Sequence, residues 1–152
     1  MDQVSPRQSE ILEISHVPPA TVSKDATALE AVAVMVDKNV GAVAVVEGGN
    51  LRGIFTERDL MAKVIHPGLD PAAVAVADVM TTQVEALTIY CREGDALRTM
   101  SRGHFRHMPV CDGDGKVLGV LSLRNLLQHR LDTLADELDS LESFLSADGP
   151  GG

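Results

Sequence analysis

The chain repeats itself. Slid over its own sequence by about 65 residues, AVAVVEGGNLRGIFTERDL in the first half falls on HMPVCDGDGKVLGVLSLRNL in the second, with one extra residue in the second turn. Met35 lands on Met100, Gly53 on Gly119, Thr56 on Ser122 and Asp59 on Asn125. A copy of some 55 residues is marginal as a folding unit on its own, so the two copies are expected to pack against each other.

Periodicity within each copy says what is repeated. In the first, Val22 reads as a short strand, with Ser23 as a candidate N-cap and Ala28, Leu29, Val32, Ala33 and Met35 following at helical spacing. Ala42 to Val46 is an apolar run of strand length, Gly48, Gly49 and Asn50 are turn residues, and Leu51 to Phe55 is a second run, which together predict a hairpin. Thr56 then reads as an N-cap with Asp59 as a capping-box acid, and Leu60, Met61 and Val64 share a face of the helix that follows. The unit is β-α-β-β-α.

The second copy predicts a strand at Val84 to Leu87, a helix from about Arg92 to Arg102 that holds Gly94, strands at His107 to Cys111 and Lys116 to Leu121, and a helix capped by Ser122. His66 to Pro71 reads as a linker and Val74 to Met80 as a short helix. The expected organisation is a first unit over 10–67, a second over 74–130, a helical extension over 131–146 and a flexible tail over 147–152.

A formal charge of −9 repels nucleic acid and anionic lipid. Only 3% of residues are aromatic and no Trp is present, so a base-stacking platform is not expected either. No run of some 18 apolar residues predicts a membrane span, and MDQVSPRQSE lacks the basic-then-apolar pattern of a secretory signal. Cys91 and Cys111 fit neither a disulfide framework nor a Cys-x-x-Cys motif, as expected of a reducing compartment, and the cytoplasm is the predicted location.

The first copy's VSKDATALEAVAVM, GAVAVVE and LRGIFTERDL and the second copy's VADVM, RHMPVCD and VLGVLSLRNL resemble a tandem pair of CBS domains, a Bateman module, over about residues 10 to 130. The resemblance implies an α/β (α+β) fold in which two units pack about a pseudo-twofold axis and leave two clefts for adenosine-containing ligands such as AMP, ADP, ATP or S-adenosylmethionine. The family's ribose-binding acid follows a Gly, two apolar residues and a Ser or Thr, which here are Gly53, Ile54, Phe55 and Thr56 ahead of Asp59. The chemistry of the residues agrees. Thr56 at a helix N-terminus offers a hydroxyl and free N–H groups to a phosphate, and Asp59 can accept from both ribose hydroxyls.

Ser122 and Asn125 are the second copy's counterparts, and an Asn without charge makes a weaker ribose contact. By the same resemblance Arg106 and His107 are placed to reach phosphates, where the first copy has Gly41 and Ala42, and Thr82 is placed to line an adenine pocket. Thr56 with Asp59, and Ser122 with Asn125, are also what a capped helix with no ligand would carry.

His104, His107, Cys111 and His129 match no compact metal-ligand spacing, and GDGKVLG sits in a hairpin rather than between a strand and a helix, so neither a metal nor a dinucleotide is expected. No nucleophile with its base and no carboxylate pair can be assembled, so an enzyme is not expected. Leu127, Leu131, Leu134, Leu138, Leu141 and Leu145 recur in alternating steps of four and three, a heptad seam with acidic and basic flanks. It belongs either to a helix folded back on its own domain or to one that pairs with its twin across a homodimer. The expected function is a stand-alone sensor that binds an adenosyl ligand and regulates a partner protein, with no cofactor required; the alternative is an interaction protein that dimerises through the seam and has no physiological ligand.

Overall fold

The computed structural model describes residues 9–147; the last five residues of the expected tail lie outside them, as do the first eight of the chain. Helix α1 spans Glu10–Ile14. Then come β1 (Thr21–Ser23), α2 (Ala28–Lys38), β2 (Ala42–Glu47), β3 (Asn50–Thr56) and α3 (Glu57–Asp59), which runs on into a π-helical stretch over Leu60–Ile65. The second half repeats the order with α4 (Val76–Val79), β4 (Leu87–Thr88), α5 (Glu93–Gly103), β5 (His107–Cys111), β6 (Val117–Ser122) and α6 (Leu123–Ala147).

Each half holds a three-stranded sheet in which the first strand is parallel to the second and the second antiparallel to the third. Val43 opposes Phe55 in one sheet as Met108 opposes Leu121 in the other, and both sheets shift register at equivalent places, between Val45 and Val46 and between Val110 and Cys111.

Local chemistry sets most boundaries. Helix α2 is capped by Thr27, whose hydroxyl accepts the Glu30 N–H at 3.1 Å, and not by Ser23, which lies in β1 and turns its hydroxyl to the Asp25 N–H at 3.2 Å. The helix therefore starts four residues later than Ser23 implied, and it buries Ala28, Ala31 and Met35 while Leu29 stays 48% exposed. It ends at Asn39, with a left-handed backbone at φ 53°; His104 ends α5 in the same way at φ 56°. Gly94 falls in the first turn of α5, where it leaves the helix intact. Strand β4 is shorter and later than expected, because Val84 lies ahead of it in a cleft wall. Beyond α3, Val64 faces the core and Leu60 packs on it, but Met61 turns to solvent.

The packing crosses the boundary between copies. The first core gathers Val22, Ala31, Met35, Val43, Val45, Phe55 and Val64, and it is closed by Val76 and Val79 from α4, the opening helix of the second copy. The second core gathers Leu87, Ala96, Met100, Met108, Val110, Leu121 and Leu126, and it is closed by Ile11 and Ile14 from α1. Each copy thus lends its first helix to the other, and each such buried Ile or Val contributes about 1.5–3 kcal/mol. An organisation that assigns residues 10–17 to the first unit follows chain order; by packing, α1 belongs to the second.

The segments after these helices pair with the partner sheets. Thr81 and Ile54 exchange both backbone hydrogen bonds, at 2.8 and 2.9 Å, and His16 and Val120 do the same at 2.9 and 3.2 Å. Their approach explains the repeated glycine. A Cβ on Gly53 would stand 2.7 Å from the Thr81 carbonyl oxygen and the Met80 sulfur, and one on Gly119 would stand 3.1 Å from Val17 and 3.2 Å from the His16 oxygen. Ala44, Val46 and Leu51 of one sheet face Cys111, Val117 and Val120 of the other. The hairpin tips add a backbone hydrogen bond from Leu51 to Gly115 and another from Val117 to Gly49.

Because a Cβ at Gly53 would stand 2.7 Å from a backbone oxygen and one at Gly119 no closer than 3.1 Å to anything, Gly53→Ala is expected to cost about 2–3 kcal/mol and Gly119→Ala about 1 kcal/mol. Urea unfolding of both variants measures the difference; equal costs would mean the two crossings are not unequal in tightness.

Candidate ligand site

Asp59 is the one buried acidic residue among the described residues, with 7% of the residue exposed. It stands at the third position of α3, and the capping box expected from sequence is complete. The Thr56 hydroxyl accepts the Asp59 N–H at 3.2 Å, while Asp59 Oδ2 accepts the Thr56 N–H at 3.1 Å and the Thr56 hydroxyl at 3.2 Å. Two further groups reach the same carboxylate. The Thr81 hydroxyl lies 3.1 Å from Oδ1 and 3.3 Å from Oδ2, and Lys63 Nζ lies 3.0 Å from Oδ1 and 3.3 Å from the Thr81 hydroxyl.

Asp59 is therefore a buried charge with a cation and three neutral donors around it. A ribose diol seated on it has to take the place of Thr81 and Lys63, since the carboxylate's remaining lone pairs serve the cap. The phosphate cradle expected at Thr56 is also in use: the Thr56 and Asp59 N–H groups close the box, and the Glu57 N–H donates to the Gly41 carbonyl at 3.0 Å.

The other residues singled out by sequence do not converge on this carboxylate. Ser122 and Asn125 keep half of the box, the Asn125 N–H donating to the Ser122 hydroxyl at 3.1 Å, and Asn125 is exposed. Arg106 is exposed and its carbonyl accepts the Leu123 N–H at 2.8 Å. The half-buried His107 ring packs where Gly41 has no side chain: a Cβ there would meet His107 Nε2 at 3.2 Å and a Glu57 carboxylate oxygen at 3.0 Å. Gly41, the first copy's counterpart of Arg106, thus makes room for the second copy's His107.

Thr82, next in the chain to Thr81, lines an open cleft of about 670 Å³ together with Gln83, Val84, Glu85, Thr99, Arg102 and Phe105. Sequence reading missed Lys63 and Thr81. Lys63 was visible as an i,i+4 partner of Asp59. Thr81 carries no local signal, because it arrives through the exchange between copies.

The geometry can be set beside known proteins. The model of the CBS domain matches residues 11–66 and again residues 76–132. This chain belongs to the CBS-domain family. Among curated relatives, the CBS domain-containing protein YhcV of Bacillus subtilis is 32% identical over 112 residues, which cover 74% of this chain and 79% of that protein. The Meiotically up-regulated gene 70 protein of Schizosaccharomyces pombe is 35% identical over 108 residues, but this chain spans only 15% of its length. Among solved structures, a protein with CBS domains from Burkholderia ambifaria superposes with a TM-score of 0.70 at 32% identity, covering 75% of this chain and 83% of that one. CBSX2 in complex with AMP superposes with a TM-score of 0.66 at 25% identity, over 78% of this chain and 92% of that one. The fold, with its two three-stranded sheets, is that of a CBS-domain pair.

Burial pushes His107 below the ordinary imidazole value of 6.5; Glu57 beside it works the other way, and Arg106 adds to the lowering. The unfolded chain therefore takes up a proton at this position before the folded one does, so the His107 contribution to stability is full above that value and is lost as pH falls below it. The drop in Tm between pH 7.5 and pH 5.5 is expected to be smaller in His107→Gln than in the wild type; identical drops would mean the ring titrates as if in water.

Proposed function

We propose that this CBS pair is a regulatory module that binds an adenosine-containing ligand and passes the binding event to its oligomer contacts and through them to a partner protein. The observation that carries this reading is the Asp59 carboxylate, held buried at the start of α3 with its outer donors supplied by Lys63 and by Thr81, the residue before the cleft-lining Thr82. A ribose diol can replace those donors with two hydroxyls of its own. The AMP complex of CBSX2, a protein of the same fold, supports an adenine nucleotide as the ligand class. In this reading Thr82 lines the adenine end, and Arg106 and His107 sit at the phosphate end. Ser122 with Asn125 forms a weaker second site because the side chain is neutral and exposed. In this reading the module reports on its ligand and does not transform it.

Displacing Thr81 from Asp59 is the step that turns binding into a signal. Thr81 belongs to the exchanged segment, so its release loosens the contact between copies.

The output surface is the C-terminal helix. Leu127, Leu131, Leu134, Leu138, Leu141, Phe144 and Leu145 are each between 42% and 64% exposed, so α6 does not fold this seam back onto its own domain. A self-complementary heptad row is suited to a second copy of the same chain, which makes the working form a homodimer. Free Cys91 and Cys111 suit the cytoplasm.

Thermal shift against AMP, ADP, ATP, S-adenosylmethionine and NADH tests the ligand. At about 100 times Kd, binding stabilises the folded state by about 2.7 kcal/mol, several degrees in Tm. Asp59→Asn is expected to remove most of that shift and Asn125→Ala little of it; no shift with any of the five compounds, or a reversed ranking of the two variants, would overturn the assignment. Truncation after Arg130 is expected to give a monomer in sedimentation that still binds ligand, and a truncated chain that remains dimeric would place the interface elsewhere.

A further inference from the structure

A second cluster of ionisable groups lies on the opposite copy, away from Asp59. Glu10 at the first position of α1, Glu93 at the first position of α5 and His129 on α6 each bring one ligand atom to within 4.8 Å of the others. Three different helices supply them. Ser9, buried ahead of Glu10, fixes the start of α1 by donating its hydroxyl to the Ile89 carbonyl at 2.7 Å, and so holds Glu10 in place next to the α5 terminus.

The cluster is incomplete as protein chemistry. Glu93 Oε1 and His129 Nδ1 are shielded from solvent and have no hydrogen-bond partner among the described residues. A shielded oxygen and nitrogen left without partners are costly, and groups of this kind are rare in native folds. Glu93 Oε2 stands 3.4 Å from His129 Nδ1, too long for a good N–H···O bond. Two ligands about 2.0–2.1 Å from one tetrahedral ion, however, stand about 3.3–3.4 Å apart. The Glu93–His129 distance is thus also that of one edge of a metal coordination sphere, and Glu10 brings a third oxygen within 4.8 Å of both.

We propose that Glu10, Glu93 and His129 form a binding site for a divalent first-row transition-metal ion of the zinc type. Two carboxylates balance the charge of the ion, and water fills the open position. The imidazole nitrogen selects against magnesium and calcium, which prefer all-oxygen shells, and the lack of a thiolate in the set selects against softer ions. Nothing in the spacing along the chain could show the site, because Glu10 reaches the other two only through the exchange of α1 into the second core. The ion would tie α1 and α5 to the base of α6, below the leucine seam.

Full-length protein stripped with a chelator and titrated calorimetrically with Zn²⁺ alone tests the site. One saturable equivalent per chain is expected, with affinity lowered at least tenfold in both His129→Ala and Glu10→Gln. Cobalt(II) in place of zinc should give the intense visible absorption of a tetrahedral ion, lost in the same variants. Glu10 is exposed, so Glu10→Gln decides the matter on its own if His129→Ala fails to fold. No saturable uptake, or wild-type affinity in either folded variant, would overturn the proposal and leave the triad an ion-pair cluster.

Discussion

The rest of the structure depends on one reciprocal contact: a backbone segment from each copy laid across the last strand of the other. Thr81 on Ile54 and His16 on Val120 are the same contact made twice. Each requires a residue without a side chain beneath it, which explains why glycine recurs at Gly53 and Gly119. Each also delivers a helix whose apolar residues close the partner's core, Val76 and Val79 on one side, Ile11 and Ile14 on the other. Because each core is finished by residues of the other copy, the copies fold as one cooperative unit.

The candidate ligand site inherits its form from this contact. Asp59 is positioned by purely local forces, a capping box within four residues. Its outer neighbours are positioned from outside, Thr81 by the exchanged segment and Lys63 by the helical stretch beyond the cap. A buried carboxylate needs such partners, since an unpaired charge at that depth would be strongly destabilising. The same partners are the ones a ligand must displace. Affinity at this position is thus a difference between two sets of hydrogen bonds, and changes in the contact between copies alter it without touching the ligand.

The parts of the fold that were legible in the sequence are those governed by short-range periodicity and by the repeat. The strand at His107 to Cys111 falls where its apolar run predicts, the hairpins are in place, and Thr56 with Asp59 form the capping box that their spacing implies. Errors arose where two local solutions competed or where the decisive partner was distant. Ser23 and Thr27 both offer a hydroxyl ahead of α2, and the turn at Asp25 and Ala26 gives the cap to Thr27. Leu29 looked like a core residue and is exposed, because alanines are what the closely packed face of α2 accommodates. The contact of the His107 ring with Gly41 likewise joins residues 66 positions apart, beyond the reach of local periodicity. Thr81 could not be found at all, since its role exists only once α4 has crossed to the other core.

The exchanged helices also bear on what a half of this protein is. A chain holding only the first copy would have its α1 with no second core to enter and its own core open where Val76 and Val79 now lie. Two such chains would satisfy one another, each giving its opening helix to its neighbour, in the manner of a domain-swapped dimer. The connection over residues 66–71 then serves to raise the local concentration of one copy around the other and contributes little to the shape they adopt. The two copies therefore behave as interdependent subunits held in one chain, and they carry different side chains at matched positions, Asp59 in one and Asn125 in the other.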